Sequence, residues 1–435
     1  MRLLILFSLF VGGAIASPFA SARLDAADGP DAIFEKPAPI GMAELAQKKI
    51  VGVAAVEVND YAPCGYKGVL TPSPPHADLN PKKAIIIVWE KNKNRLIFSH
   101  EASYCPWLEL PSGVGMCNQF FESNRGWAEL MNDCGRRERN SFVDIIHAGP
   151  DYAWVRWNYC DVNAEDNTKA GMQPGLRGTE DYIAYPNGFI VRRFTYRSMQ
   201  PDNVDGYSCQ PIDFFSLIPA GVAWESVFRR DPDHGDYHVA AALDAFSDKK
   251  YDVFWADPGL APREFGVGKP RRNGDAALLR EISRSKGYAL VMPAKEGCLF
   301  SATGEAAGIA GNQGHIADNS YKDTAGCGWI SWELDHWPIG WNNSQGHTRQ
   351  PDSPYPYCIC QLSHYLTPHP LDSYDPGYLE MTKDMEHNKW TERHVFYQLL
   401  GVAKDCDSVR RLSRNWLDKG ERCATAASIA DLKED

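Results

Sequence analysis

The chain has 435 residues, with 45 Lys and Arg against 56 Asp and Glu and a formal net charge of −11. With no basic stripe and no basic amphipathic helix, that balance argues against a nucleic-acid or membrane-surface partner. Thirteen Trp and nineteen Tyr give an aromatic richness that suits an extracellular carbohydrate-active protein.

In chain order, Arg2 and the apolar run Leu3–Ala16 read as a secretory signal peptide, with Ala14-Ile15-Ala16 as a small-x-small cleavage site. No later apolar run approaches the roughly 18 residues that cross a bilayer. A soluble, secreted, monomeric protein is expected. Residues 17–49 read as an extended lead-in. From Ile50 the strand signals accumulate: Val51–Val58, Ala84–Trp89, Arg95–Ser99, Asp144–His147, Tyr152–Tyr159, Asp181–Tyr185 and Gly188–Tyr196. Tyr185-Pro186-Asn187-Gly188 reads as a turn, because Pro presets φ and Asn-Gly accepts positive φ. The alternation of this hairpin places Tyr182 and Ala184 on one face and sends Arg192 and Arg193 to opposite faces. Helical periodicity is read over Val239–Ser247, Ala276–Ser285, Lys389–Val402, Ser408–Trp416 and Ala424–Leu432. The expected fold is mainly β: a large antiparallel β-sandwich, supersandwich-like, over residues 50–385, with a small helical C-terminal appendix over residues 386–435.

Twelve cysteines in an exported protein make disulfides the default, and Cys406 and Cys423 are expected to pair locally. Cys358-x-Cys360 lacks a partner pair with zinc-ribbon spacing, and no HExxH-like spacing occurs, so no metal or other cofactor is expected; the sequence does not decide calcium. Asn342-Asn343-Ser344 is a glycosylation sequon.

Chemistry concentrates in the run Ser331–Gln350, which carries Trp332, Trp337, Trp341, His336, His347 and Arg349. Rings stack on apolar sugar faces, while imidazoles and amides hold hydroxyls or a carboxylate. Upstream, Tyr104 and Asn118 lie among aromatics, and Trp154, Arg156 and Asn158 share one face of a strand as a carboxylate cradle. Tyr, His, Arg and Asn together suit β-elimination at a uronic acid. Arg156 and Asn118 would neutralise the carboxylate, Tyr104 and His336 would act as acid and base, and Tyr182, Arg192, Trp337 and His347 would line subsites. Paired carboxylates among Glu180, Asp181, Glu333 and Asp335 would instead suit a glycoside hydrolase, and the aromatics alone a non-catalytic sugar-binding protein.

Ser103-Tyr104-x-Pro106, Asn118-x-Phe120, Arg156-Trp157-x-Tyr159, Tyr185-Pro186-x-Gly188 and His336-Trp337-Pro338 occur in this order. Through them the chain resembles secreted bacterial polysaccharide-lyase-like proteins associated with ulvan and other uronate polymers. It departs from that group at His100 and Glu101, where an Arg and a Gly are expected. The resemblance implies a β-sandwich-rich lyase acting on an acidic polysaccharide.

Overall fold

A computed structural model describes residues 38–61, 82–100, 104–118, 141–162, 174–198, 211–219, 222, 224–255, 270–273, 276–304, 308–310, 332–333, 357–365, 394–419 and 432. After the short helix α1 (Met42–Gln47), the β-branched and aromatic runs form antiparallel strands. The first five build one sheet: β1 (Val53–Val58), β2 (Ala84–Trp89), β3 (Arg95–Ser99), β4 (Pro106–Glu109) and β5 (Gly115–Asn118). The chain then crosses to a second sheet with β6 (Ser141–Ala148), β7 (Ala153–Val162), β8 (Pro174–Ala184) and β9 (Ile190–Ser198). It returns to the first for β10 (Pro211–Ile218).

Helix α2 (Trp224–Val227) leads back to the second sheet, which gains β11 (Arg229–Arg230), β12 (Tyr237–Asp244), β13 (Lys250–Trp255) and β14 (Pro270–Asn273). Helix α3 (Ala276–Ser283) precedes β15 (Gly287–Pro293) and β16 (Cys298–Gly304) of the same sheet. β17 (Gly308–Ala310), β18 (Trp332–Glu333) and β19 (Tyr357–Tyr365) complete the first sheet, and β20 (His394–Ala403) completes the second. Helix α4 (Cys406–Asp418) follows.

Among the described residues the first sheet runs β1-β2-β3-β4-β5-β10-β19-β17, with β18 also on β19. The second runs β14-β13-β12-β15-β16-β20-β9-β8-β7-β6, with β11 on β12. The inner faces pack together as a sandwich. Phe98 on β3 meets Tyr182 on β8 edge-on at 5.1 Å, and the Trp89 indole donates to the Tyr185 carbonyl at 2.8 Å. The mainly β sandwich expected from the sequence is what the chain forms.

The middle of the second sheet is buried on both faces, which makes a third layer. On β15, Tyr288, Leu290 and Met292 join the inter-sheet core, whereas Ala289 and Val291 join a second cluster with Val409, Leu412 and Trp416 of α4. Asp405 caps α4 by accepting from the Ser408 amide at 2.8 Å. The expected helices at 276–285 and 408–416 form, the first ending at Ser283 and the second lying within Cys406–Asp418.

Two expected helices are strands instead. Residues 239–244 belong to β12, between β13 and β15, and residues 394–402 belong to β20, between β16 and β9. β12 is buried on two faces, and so is β20 from Gln398 to Ala403, where Leu400 joins one cluster and Leu399 and Ala403 the other. Apolar residues therefore follow one another there and the period of two is lost. Gly401 makes room in β20, because a Cβ there would meet the Phe189 ring at 2.6 Å. Residues 394–403, expected in the helical appendix, therefore lie inside the sandwich. The helix expected at Ala424–Leu432 falls outside the described residues apart from Leu432, which is buried beside α4.

Candidate active site on the outer face of the second sheet

The hairpin β8–β9 sorts its charges by alternation, as its sequence predicts. Its turn closes through the Gly188 amide donating to the Tyr185 carbonyl at 2.9 Å, with Gly188 at φ +92°. Glu180, Tyr182 and Arg192 point inward, and Asp181 and Arg193 point outward.

Inside the sandwich the Glu180 carboxylate accepts from the Tyr159 hydroxyl at 2.9 Å, the Tyr182 hydroxyl at 2.6 Å, and Arg192 Nε and Nη2 at 2.7 Å each. Arg192 Nη1 donates to Gln398 Oε1 at 2.8 Å, and Gln398 donates on to the Ser301 hydroxyl at 3.1 Å. The guanidinium lies 5.7 Å from the Tyr182 ring centre and 5.6 Å from that of Phe194. Burial alone would favour a neutral Arg192, but the adjacent Glu180 carboxylate outweighs it and raises its pKa. Burial also raises the Tyr182 phenol well above its ordinary value.

Arg192 and Tyr182 were expected at sugar subsites. At 0 % and 1 % exposed, they line the interior instead. Gly178 is part of the same construction, since a Cβ there would sit 2.3 Å from the Tyr159 ring. Gly178→Ala is expected to cost about 1–3 kcal/mol through forced displacement of that ring, read as a lower urea midpoint.

The outward face carries a second constellation. Registers align Asp144, Arg156, Asp181, Arg193 and Tyr397 in one row across β6, β7, β8, β9 and β20. Asp181, 1 % exposed, accepts from Arg156 Nε at 2.7 Å and Nη2 at 3.2 Å, from Arg193 Nε at 3.1 Å and Nη2 at 2.5 Å, and from the Trp154 indole at 2.7 Å. Burial pushes the Asp181 carboxyl up, yet the hydrogen bonds and charges of Arg156 and Arg193 together hold it below the usual carboxylate range. Arg156 also lies 5.3 Å from the Trp154 ring centre. Arg156, expected to cradle a substrate carboxylate, holds the chain's own Asp181 carboxylate. Neither guanidinium gives Asp181 its Nη1 group.

The neighbouring row begins with His147 opposite Trp154. His147 stacks on Tyr152 with ring centres 4.0 Å apart and planes at 19°, and its Nε2 is 3.7 Å from Asp151 Oδ1. Burial, and secondarily the Asp151 charge, raises the Tyr152 pKa, so its phenol stays protonated. Two residues along a strand span roughly 7 Å, which puts this pair within one sugar ring of Arg156. Sequence reasoning passed over both residues. The available signal was the Gly149-Pro150-Asp151 turn, which folds His147 and Tyr152 together on one hairpin end.

Tyr104 and Asn118 sit elsewhere, at one end of the first sheet. Tyr104 is buried with φ +64°, edge-on to His100 at 5.4 Å. A non-glycine residue there holds about 1–3 kcal/mol of backbone strain. Asn118 is buried on β5, and neither atom of its side-chain amide has a hydrogen-bond partner among the described residues. The second sheet separates both from Arg156, whose side chain points away from the inter-sheet core. The structure therefore does not bring Arg156 together with Tyr104 and Asn118. His336, Trp337, His347 and Asp335 lie outside the described residues. Glu333 is placed by its backbone alone, opposite Cys358.

Among the described residues no three His, Cys, Asp or Glu side chains are grouped to hold a metal ion, and no helix is long and apolar enough to cross a membrane. No known protein family matches the chain, and no curated protein matches it. Among solved structures, it is similar to galactose 1-epimerase from Lactobacillus acidophilus NCFM, with 10 % identity and a TM-score of 0.28, over 81 % of this chain and 99 % of that one.

Proposed function

We propose that the protein is exported and acts on an acidic, uronate-bearing polysaccharide at the outer face of β6–β9, cleaving it by β-elimination. The observation that carries this reading is the Arg156–Asp181–Arg193 cluster beside Trp154, His147 and Tyr152 on one sheet face. The proton on C5 of a uronate is removable only when the adjacent carboxylate is neutralised. The two Nη1 groups not given to Asp181 supply that neutralisation, and Trp154 offers a flat stacking surface. His147 then accepts the C5 proton, the C4–C5 double bond forms, the C4–O4 bond breaks, and the Tyr152 phenol protonates the departing O4.

A second assignment within the same reaction places the acid–base work at Tyr104. It is favoured by that residue's left-handed backbone and by the Asn118 amide, which has no partner among the described residues. One assay addresses both. The full chain is incubated with a panel of uronate polymers and with neutral polymers, and the ultraviolet absorbance of unsaturated uronate is followed. We expect chromophore from a uronate polymer, loss of at least about 100-fold in rate in His147→Ala and Tyr152→Phe, and retention in Tyr104→Phe. Loss confined to Tyr104→Phe would move the acid–base site to the end of the first sheet. New reducing ends without the chromophore would replace elimination by hydrolysis. Binding without either product would leave a carbohydrate-binding protein.

A further inference from the structure

Disulfides were the default expectation, yet the four cysteines whose side chains are described, Cys105, Cys117, Cys298 and Cys406, are thiols. They fall into two neighbouring pairs of opposite character. Cys105 and Cys117 lie 3.6 Å apart in the inter-sheet core, both fully buried, and burial raises the Cys105 thiol well above its ordinary value. Such a pair is sealed from solvent and inert toward reagents.

The second pair joins β16 to α4. Cys298 stands opposite Ala403 in the β16–β20 register, on the outer sheet face that α4 covers. After Ala403 the chain passes Lys404 and the capping Asp405, and Cys406 opens the helix. That short path folds the Cys406 thiol back over Cys298, and the two hydrogen-bond to each other. The Cys298 side is buried and the Cys406 side is partly open to solvent.

The groups facing the pair come from several elements: Lys250 and Asp252 on β13, Arg229 on β11, and Asp405 and Asp407 around the start of α4. Their effect is asymmetric. The hydrogen bond from Cys298 is the largest influence on Cys406; burial opposes it, the Lys250 charge assists it, and the net effect is a lowered pKa. That same bond, with burial, raises Cys298. A partly exposed thiol at the first turn of a helix, beside a lysine and backed by a protonated partner, has the surroundings of a nucleophilic cysteine with a resolving cysteine.

We propose that Cys298 and Cys406 form an exchangeable disulfide site that latches the start of α4 to the second sheet. The co-reactant is a low-molecular-weight disulfide. Cys406 thiolate attacks one of its sulfurs, forms a mixed disulfide and expels one thiolate. Cys298 gives up its proton and attacks Cys406 Sγ, which releases the second small thiol. Two protein thiols and one small disulfide become one protein disulfide and two small thiols.

The test uses the full chain, equilibrated first with oxidised and then with increasing reduced glutathione, alkylated natively and mapped as non-reduced peptides. The expected result is a linked Cys298–Cys406 peptide in the oxidised protein, with Cys406 the first described cysteine alkylated as reductant rises and Cys105 and Cys117 unlabelled until unfolding. The oxidised form should also unfold at a higher temperature than the reduced form, a shift that Cys298→Ser abolishes while trapping glutathione on Cys406. Alkylation of both thiols after oxidised glutathione treatment would overturn the proposal. So would a link from Cys406 to another cysteine, Cys423 included. The map of the unsubstituted chain decides even if Cys298→Ser does not fold.

Discussion

Arg192→Met is expected to destabilise the fold by about 3–5 kcal/mol, read as a lower urea midpoint with an unchanged slope. The reason lies in what remains. Glu180 would stay at 0 % exposed with two tyrosine hydroxyls but no cation, and an uncompensated buried charge costs more than the pair itself contributes. Gln398 would also lose the donor to its side-chain oxygen. Glu180→Gln alone should cost a similar amount, because it leaves the Arg192 cation buried without a counter-charge and turns one acceptor oxygen into an NH2 that cannot accept from its tyrosine or from Arg192. The double variant Glu180→Gln with Arg192→Met should recover part of the loss, since no charge is left in the core. Strictly additive single and double costs would show that the two side chains are not coupled. A loss below about 1 kcal/mol for Arg192→Met would indicate a hydrated site rather than a dry one.

That network also marks where the sequence stops informing. Alternation in Glu180–Arg193 assigned each residue to a face correctly, because a two-residue period and an Asn-Gly turn are local properties. Which face is buried is not local. It depends on the first sheet, whose Phe98 covers Tyr182, and the two arginines exchange roles accordingly: Arg192 is core and Arg193 is surface. The same limit explains β12 and β20. Their apolar residues face the inter-sheet core on one side and α4 on the other, so no periodicity distinguished strand from helix. By contrast α4 presents a one-sided stripe of Val409, Leu412 and Trp416 and was readable. At the candidate site, Trp154 and Arg156 were legible as strand neighbours. Their link to Asp181, Arg193 and His147 required the order β6-β7-β8-β9, which brings together side chains from four strands.

The outward row predicts binding in the same terms. Arg156→Ala and Arg193→Ala should each weaken binding of a uronate polymer by roughly 10-fold, the worth of one hydrogen bond to a charged group, and leave binding of neutral polymers unchanged. Trp154→Ala should weaken both classes, because stacking does not distinguish them. Asp144 is exposed and opposite Arg156 in register, so Asp144→Asn should strengthen uronate binding by removing a like charge from the ligand's approach. The double arginine variant differs in kind: it leaves Asp181 buried without a cation, and both binding and stability should fall. The pH dependence separates this cluster from the acid–base pair. Asp181 has a folded pKa below its unfolded value near about 3.9, so the stability it contributes is present above that value and lost as pH falls through the lower folded one. Its charge is therefore constant above about pH 5, and a rise in turnover between about pH 5 and 8 would report an imidazole rather than the arginine cluster. Affinity for the uronate polymer, measured by calorimetry, should stay flat over that range while turnover changes. If affinity and turnover fell together over that range in the unsubstituted protein, the separation of binding by Arg156 and Arg193 from proton transfer by His147 would fail.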